Sequence, residues 1–149
     1  MGPARAAVVS VRFFDHTADV AFEATAASLD ELFAEAARAL LQTITDPATV
    51  RPNLHRGFEL AAPDLETLLV DWLGELVYVF EVDRQLFSDA EVRITEGTDG
   101  PRLAAVARGE PYDPSRHPIR VQVKAVTYHG LEVACRPDGT WVARVVFDV

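Results

Sequence analysis

Residues 64–80, with the sequence DLETLLVDWLGELVYVF, decide the fold class of this chain. Asp64 follows a proline and can accept hydrogen bonds from the free N–H groups at a helix start. Asp71 and Glu75 fall on the polar side of the helix that would begin here. The apolar residues recur at helical spacing and form one continuous stripe: Leu65, Leu68, Leu69, Trp72, Leu73, Leu76, Val77 and Phe80. Such a stripe predicts an amphipathic helix packed in a core, with a partner-binding groove as the less common alternative.

A second amphipathic helix is predicted upstream, from residue 28 onward. Ser28 and Glu31 form a capping box, in which each residue can satisfy an unpaired N–H group at the helix start. Apolar side chains then recur at helical spacing: Leu29, Leu32, Phe33, Ala36, Ala37, Leu40, Leu41 and Ile44. The pair Asp46-Pro47 is expected to end this helix, because proline disfavours helical geometry in the residue before it.

The remaining apolar segments are typical of β-strands. They are residues 8–14, 20–24, 58–60, 92–95, 103–107, 121–128, 131–135 and 141–147. The sequence Pro137-Asp138-Gly139 predicts a tight turn, so that the last two strands form a hairpin, and residues 109–118 are predicted to be a loop. Two helices among about seven or eight mostly antiparallel strands predict an α+β fold. Residues 1–149 are interpreted as a single domain, in which residues 1–12 form an N-terminal extension and the start of the first strand.

Composition and charge narrow the function classes. The chain has 149 residues, of which 49% are hydrophobic and 25% charged, as in globular proteins. Its net charge of −9 disfavours direct binding to a phosphate backbone. An acidic surface suits cations or a basic protein partner, or serves solubility alone. No apolar run is long enough to span a membrane, and the N-terminus resembles neither a signal peptide nor a lipid-anchor signal.

The only cysteine, Cys135, excludes a disulfide within the chain and any site built from paired cysteines. It lies in an apolar alternation with Leu131 and Val133, which predicts a small buried hydrophobe. These features together indicate the cytoplasm.

Charged side chains cluster in the loop between the first two predicted strands. Asp15, His16 and Asp19 place two carboxylates and an imidazole close together in the sequence. Either they satisfy local N–H groups in an Asx-turn, or they bind a ligand. Asp148 precedes Val149, whose terminal carboxylate would repel it. A hard cation would relieve that repulsion and Asp19 could supply a third oxygen source, whereas the alternative is a solvated chain end. Their spacing in the sequence does not show that Asp19 and Asp148 lie close together.

Other polar residues leave two interpretations open. His16 and His129 are candidate ligands of zinc or manganese, or structural histidines. Lys124 interrupts a predicted apolar strand, and it either extends to the surface or pairs with a carboxylate. His55 and His117 lie in predicted loops and carry no chemical signal of their own. The sequence contains no phosphate-binding glycine loop, nucleophile elbow or H-E-x-x-H motif.

The order and spacing of several motifs resemble the archease family over residues 13–149. The H-T-A-D motif is residues 16–19, and the D-L-E-x-L-L-x-x-W-L pattern is residues 64–73. A G-E-x-x-D-x-x-x-H element follows at residues 109–117 and a K-A-x-T-Y-H element at residues 124–129. An aspartate followed by an aliphatic residue comes last. Each motif is short, but their joint order makes the resemblance specific.

This resemblance implies a protein that assists an RNA ligase of the RtcB type and does not itself catalyse a reaction. Such a ligase seals RNA 2′,3′-cyclic phosphate and 5′-hydroxyl ends, using GTP and manganese. Archeases promote its guanylylation and multiple turnover in tRNA splicing and RNA repair. RNA would be reached only through the ligase, and no membrane is involved.

The resemblance also implies a divalent cation near the C-terminus, with calcium as the first expectation and magnesium or manganese as alternatives. Its ligands would be Asp19, Asp148 and an oxygen of Val149. The residues that lie in motifs implied in ligase activation, without individual roles, are Asp15, His16, Lys124 and His129.

Two other functions fit the same residues. The first is a small metal-dependent hydrolase that uses Asp19 and Asp148 around a cation, with His16 as a general base. Such an enzyme would turn over a phosphoester by itself. The second is a chaperone or scaffold protein whose metal only holds the C-terminus, so that a chelator would lower stability without any effect on a ligase.

Overall fold

The structure is a computed structural model that describes residues 10–15 and 19–149, without the side chains of residues 14 and 15. In chain order, its elements are strands β1 (Ser10–Asp15) and β2 (Asp19–Ala26), helix α1 (Leu29–Ile44), a 3₁₀ turn (Pro47–Thr49), strand β3 (Leu54–Ala61), helix α2 (Leu65–Tyr78), a π-helical turn (Val79–Asp83), and strands β4 (Gln85–Gly97), β5 (Gly100–Pro111), β6 (Ala125–Cys135) and β7 (Trp141–Asp148).

The described strands form two antiparallel sheets. One has four strands in the order β1-β2-β7-β6, and the other has three in the order β3-β5-β4. Helix α1 packs on both sheets, through β2 and β4, while α2 packs on α1 and β6. The Trp72 indole N–H donates a hydrogen bond of 3.0 Å to the Phe33 carbonyl, which fixes α2 to α1 inside the core. The predicted α+β fold is confirmed.

Both predicted helix starts are confirmed by their caps. The Glu31 N–H donates to Ser28 Oγ at 3.1 Å, and the Ser28 hydroxyl donates to the Glu31 carboxylate at 3.3 Å. The Thr67 N–H donates to the Asp64 carboxylate at 2.7 Å and holds the pKa of Asp64 below its ordinary value. The bonds from the Glu31 and Thr67 N–H groups satisfy donors that the first helical turn leaves unpaired, while the second Ser28–Glu31 bond joins the two side chains. Within the described residues, no helix is both long and apolar enough to cross a membrane.

Several details of the strand prediction are wrong. Residues 121–124 are not in a strand, so Lys124 does not interrupt one; this part of the chain crosses between the two sheets. Cys135 is exposed, because it is the last residue of β6, where the strand leaves the sheet. Gly109 belongs to β5 and not to a loop. β3, β4 and β5 are longer than predicted, because polar or charged residues and glycine interrupt the apolar pattern at their ends.

Candidate functional site

The register of β2 and β7 places Asp19 and Asp148 directly opposite each other. Asp19 is the first residue of β2 and Asp148 the last residue of β7, so both lie at one end of the four-stranded sheet. Opposite side chains of an antiparallel pair share a face, with Cβ atoms about 4.5–5.5 Å apart. We call these two residues the acidic pair. Sequence spacing did not predict this proximity, which only the strand register reveals.

The two carboxylates of the acidic pair are not compensated by the described part of the chain. Asp148 is exposed and Asp19 is half-buried. No described residue donates a hydrogen bond to either carboxylate or forms an ion pair with it. Like charges placed directly opposite on a sheet are destabilising. The geometry therefore favours a cation or a positively charged group at this point.

Lys124 lies beside the acidic pair through its backbone. Its N–H donates a hydrogen bond of 2.8 Å to the carbonyl of Asp148, and the next residue, Ala125, pairs with Asp148 in β6. The Lys124 side chain is exposed and forms no ion pair with a described residue. Val149 follows Asp148 and packs partly against the core. Four of the predicted site residues thus meet at one end of the sheet.

The remaining predicted site residues are placed only in part. His16 and the Asp15 side chain lie outside the described residues, although the backbone of Asp15 pairs with Val20 in β2, one residue from Asp19. His129 is exposed on β6.

The donor set at this end of the sheet fits a hard cation in part. Calcium takes about six to eight oxygen ligands, and carboxylates are preferred among them. The acidic pair supplies two carboxylate side chains. Within residues 10–15 and 19–149 there is no group of three or more His, Cys, Asp or Glu side chains that could hold a metal ion. A cation held here would therefore need further oxygens from the backbone, from water or from a partner.

A second polar cluster is buried, and sequence reasoning assigned it no role. Glu110 is 5% exposed and His117 is 1% exposed. The Arg116 guanidinium donates to one Glu110 oxygen at 2.5 Å, while the other oxygen accepts from the Arg51 N–H at 2.8 Å and from His117 at 2.9 Å. These bonds, that of Arg116 first, lower the pKa of Glu110 to about 2. We call Glu110, Arg116 and His117 the anchor network.

The protonation state of His117 follows from its two partners. The Asp113 N–H donates to His117 Nδ1 at 2.9 Å, so Nδ1 is an acceptor and carries no proton. In the neutral ring the proton then lies on Nε2, which donates to Glu110. The Tyr112 ring stacks on the imidazole with centroids 6.1 Å apart. Because both nitrogens are used and the ring is buried, His117 has a structural role and is not a free ligand.

The anchor network holds the crossover, residues 112–124, that joins the two sheets. The Thr45 hydroxyl donates to the Pro118 carbonyl at 2.6 Å, and the Arg120 N–H donates to the last carbonyl of α1 at 2.8 Å. The crossover is thereby tied along the C-terminal end of α1. It ends at Lys124, where the chain reaches the acidic pair, so this one segment joins the two polar clusters.

The G-E-x-x-D-x-x-x-H element at residues 109–117 was a usable sequence signal for this network, because the structure explains why particular residues stand at its positions. A Cβ at Gly109 would lie 1.9 Å from the Leu86 carbonyl oxygen, so only glycine fits there. The Asp113 carboxylate accepts from the Ser115 N–H at 3.0 Å, which shapes the turn that delivers the histidine. What the sequence lacked was any sign that these residues are buried together.

The fold and the site define a class: an acidic α+β protein of two antiparallel sheets, with a pair of facing carboxylates at one sheet end and a largely buried network supporting the adjacent crossover. Comparisons identify this class. The sequence model of the "Archease protein family (MTH1598/TM1083)" matches residues 12–149. The protein archease of Methanopyrus kandleri is 47% identical over 135 residues, covering 91% of this chain and 96% of that protein.

Two further comparisons agree. The protein archease of Methanosarcina acetivorans is 44% identical over 140 residues, covering 92% of this chain and 94% of that protein. The solution structure of Methanobacterium thermoautotrophicum protein 1598 superposes with a TM-score of 0.80 at 37% identity, covering 93% of this chain and 98% of that one. The chain belongs to the archease family.

Proposed function

We propose that this protein activates an RNA ligase of the RtcB type in the cytoplasm and does not catalyse a reaction itself. The observation that carries the proposal is the placement of Asp19 opposite Asp148, with Lys124 hydrogen-bonded to the Asp148 carbonyl. One described residue from each of three motifs, far apart in the sequence, thereby lies at one end of the four-stranded sheet. A surface that acts on a partner must be reachable from solvent, and these residues lie at the sheet end, where a partner can contact them.

The charge of the molecule supports a protein partner over direct RNA binding. The net charge is −9, and the acidic pair adds local negative charge that repels a phosphate backbone. A ligase that binds RNA presents basic surface, and oppositely charged surfaces associate faster and in a defined orientation. RNA is therefore reached only through the ligase.

The proposal includes a divalent cation, calcium first, held by Asp19 and Asp148 with an oxygen of Val149. Two uncompensated carboxylates on one face of an antiparallel pair support it, because a cation removes their repulsion. When bound, the cation would supply a fixed positive charge at the sheet end. The protein's own contribution is to hold the two carboxylates at the spacing that the register sets.

The test is multiple-turnover RNA ligation by the ligase from the same source, with this protein at substoichiometric amounts. We expect acceleration by the wild-type protein, and a loss of about 10-fold or more with Asp148→Asn, equivalent to about 1.4 kcal/mol of transition-state stabilisation. Asp99→Asn is the matched control, because Asp99 is an exposed carboxylate in the β4–β5 turn. It should retain full activation.

Three outcomes would contradict this proposal. An active ligase that a folded wild-type protein does not accelerate would exclude the helper function. Hydrolysis of a phosphoester by the protein alone, abolished by Asp148→Asn, would replace it with a hydrolase. Unchanged activation by Asp148→Asn would separate the acidic pair from the function.

A further inference from the structure

Strand β6 contains a large bulge, and its first residue, Tyr128, is unusually exposed. Thr127 pairs with Val146 and Glu132 pairs with Arg144, so the four residues 128–131 stand opposite a single residue of β7. Bulges of this kind bend a strand and redirect its side chains. Tyr128, the first residue of the bulge, is 60% exposed, the highest value among the large hydrophobic side chains that the structure describes.

The backbone of the β6 bulge (residues 128–131) is held by specific bonds. The Thr127 hydroxyl donates to the Val146 carbonyl at 3.0 Å and accepts from the His129 N–H at 3.2 Å. Gly130 has φ of +60°, a conformation that favours glycine and turns the chain back toward the sheet. A tyrosine on a fixed backbone has few torsions left to order, so little entropy is lost when a partner covers it.

The bulge lies next to the acidic pair. Ala125 pairs with Asp148, and Tyr128 is three residues further along β6. At about 3.3 Å per residue, the two positions are about 10 Å apart along the strand. In a regular strand an offset of three residues would place Tyr128 on the face opposite Asp148, but residue 128 begins the bulge, which redirects the side chains. Tyr128 and Asp148 are both exposed, and a spacing of about 10 Å fits within a single protein interface, in which a central aromatic side chain is surrounded by charged groups.

We propose that Tyr128 is the apolar anchor of the surface through which this protein docks on its partner. The inference rests on the proposed function and adds the docking residue to it. The partner surface is a protein surface with an apolar pocket for a phenol ring and basic groups about 10 Å away that face the acidic pair. The negative charge of this edge favours such a surface over a base of an RNA strand, since each base in a strand is linked to a phosphate.

The experiment separates docking from activation. Ligation rates are measured with the ligase from the same source while the full-length protein is titrated, for wild type, Tyr128→Ala, Tyr128→Phe and Tyr78→Ala. Tyr78 is the matched control, because it is 57% exposed but lies on α2. For Tyr128→Ala we expect the half-activating concentration to rise about 10-fold or more, with the same maximal rate at saturation. Tyr128→Phe should stay near wild type and Tyr78→Ala should match it.

A second pair of variants tests the bulge itself. Thr127→Val removes the hydroxyl that holds the bulge, while Thr127→Ser keeps it. We expect Thr127→Val to raise the half-activating concentration in the same direction as Tyr128→Ala, and Thr127→Ser to restore it. Thermal unfolding of each variant, followed by circular dichroism, verifies that the exposed substitutions leave the fold intact.

The outcomes are distinguishable from failure of the proposed function. If wild type does not accelerate the ligase, the function fails before any variant is compared. If wild type accelerates it and Tyr128→Ala behaves like Tyr78→Ala, the docking role is wrong. If Tyr128→Ala lowers only the maximal rate, or weakens binding of the protein alone to single-stranded RNA or to a second copy of itself, Tyr128 serves another purpose and the inference is overturned.

Discussion

The acidic pair and the anchor network both contain carboxylates, but the carboxylate of the anchor network has hydrogen-bond partners and those of the acidic pair have none among the described residues. Glu110 is buried, yet its two oxygens accept bonds from a guanidinium, an imidazole and a backbone N–H. Asp19 and Asp148 lie at a sheet end, face each other, and receive no bond from a described residue. A buried charge persists only when its partners are complete. The incomplete cluster is therefore the one available to a ligand, and the complete cluster is structural.

The largest effect should come from breaking the complete cluster. Glu110→Ala leaves the Arg51 N–H and the His117 Nε2–H without their acceptor and removes one of the partners of the Arg116 guanidinium. Each donor that loses its only acceptor costs about 1–3 kcal/mol, so together with the lost ion pair the free energy of unfolding should fall by about 3 kcal/mol. For a chain of this size the melting temperature should fall by about 6–12 °C. Differential scanning calorimetry measures it, and a change under about 2 °C would show that the network is not stabilising.

Lowering the pH should remove the stability that the bonds of Glu110 contribute to the fold. The folded-state pKa of Glu110 is about 2, below the ordinary 4.5, so its bonds stabilise the fold fully above about pH 4.5 and are lost as pH falls toward 2. We expect the difference in unfolding free energy between wild type and Glu110→Gln to be largest near neutral pH. It should shrink between about pH 4.5 and about pH 2, as measured by urea unfolding. A difference that is constant over this range would contradict the assigned ionisation.

Calcium bound at the acidic pair should raise the free energy of unfolding of the protein. At a calcium concentration about 100 times the dissociation constant, a single site in the native state adds about 2.7 kcal/mol to the unfolding free energy. Wild type should therefore melt at a higher temperature with calcium than with a chelator. Asp148→Asn should lose most of this shift, and Asp99→Asn should keep it. An equal shift in all three proteins would place calcium elsewhere.

The smallest effect, with the opposite sign to that of Glu110→Ala, is expected for Asp19→Asn in the presence of a chelator. Removing one of two facing like charges should raise the unfolding free energy by about 0.2–1 kcal/mol. Urea unfolding with Asp99→Asn as the reference measures this gain. A loss of stability instead would mean that Asp19 has a structural partner, and the contrast between the two clusters would weaken.

These contrasts show where the sequence was informative about the fold. Both helices were predictable because a local signal, the cap at Ser28 or Asp64, coincided with a long apolar stripe. The exposed face of β4 carries Glu91 and Arg93, and that of β5 carries Arg102 and Arg108 on either side of its apolar middle, which hid the true length of these strands. The path of the crossover was not predictable, because Thr45 and Pro118 are brought together only by tertiary packing.

The candidate site was predictable in its members but not in its arrangement. Resemblance to the archease motifs selected Asp19, Asp148 and Lys124, yet nothing in their spacing shows that they meet, since strand register decides it. The converse failure is His117, which ends the element at residues 109–117 but showed no sign of burial in the sequence, and which is among the most buried polar residues described. Burial of a polar residue depends on partners far away in the chain, and a single sequence does not display them.

The hydrogen bond that joins the end of the crossover to the carbonyl of Asp148 gives this edge a chemical handle. Lys124 is the only lysine in the sequence, since every other member of the 14 Lys and Arg residues is arginine. An amine-selective reagent therefore modifies one side chain, and it belongs to a residue whose backbone is bonded to Asp148 of the acidic pair. A fluorophore or cross-linker attached there reports on this sheet end alone, apart from any label on the N-terminal amine, without a single mutation.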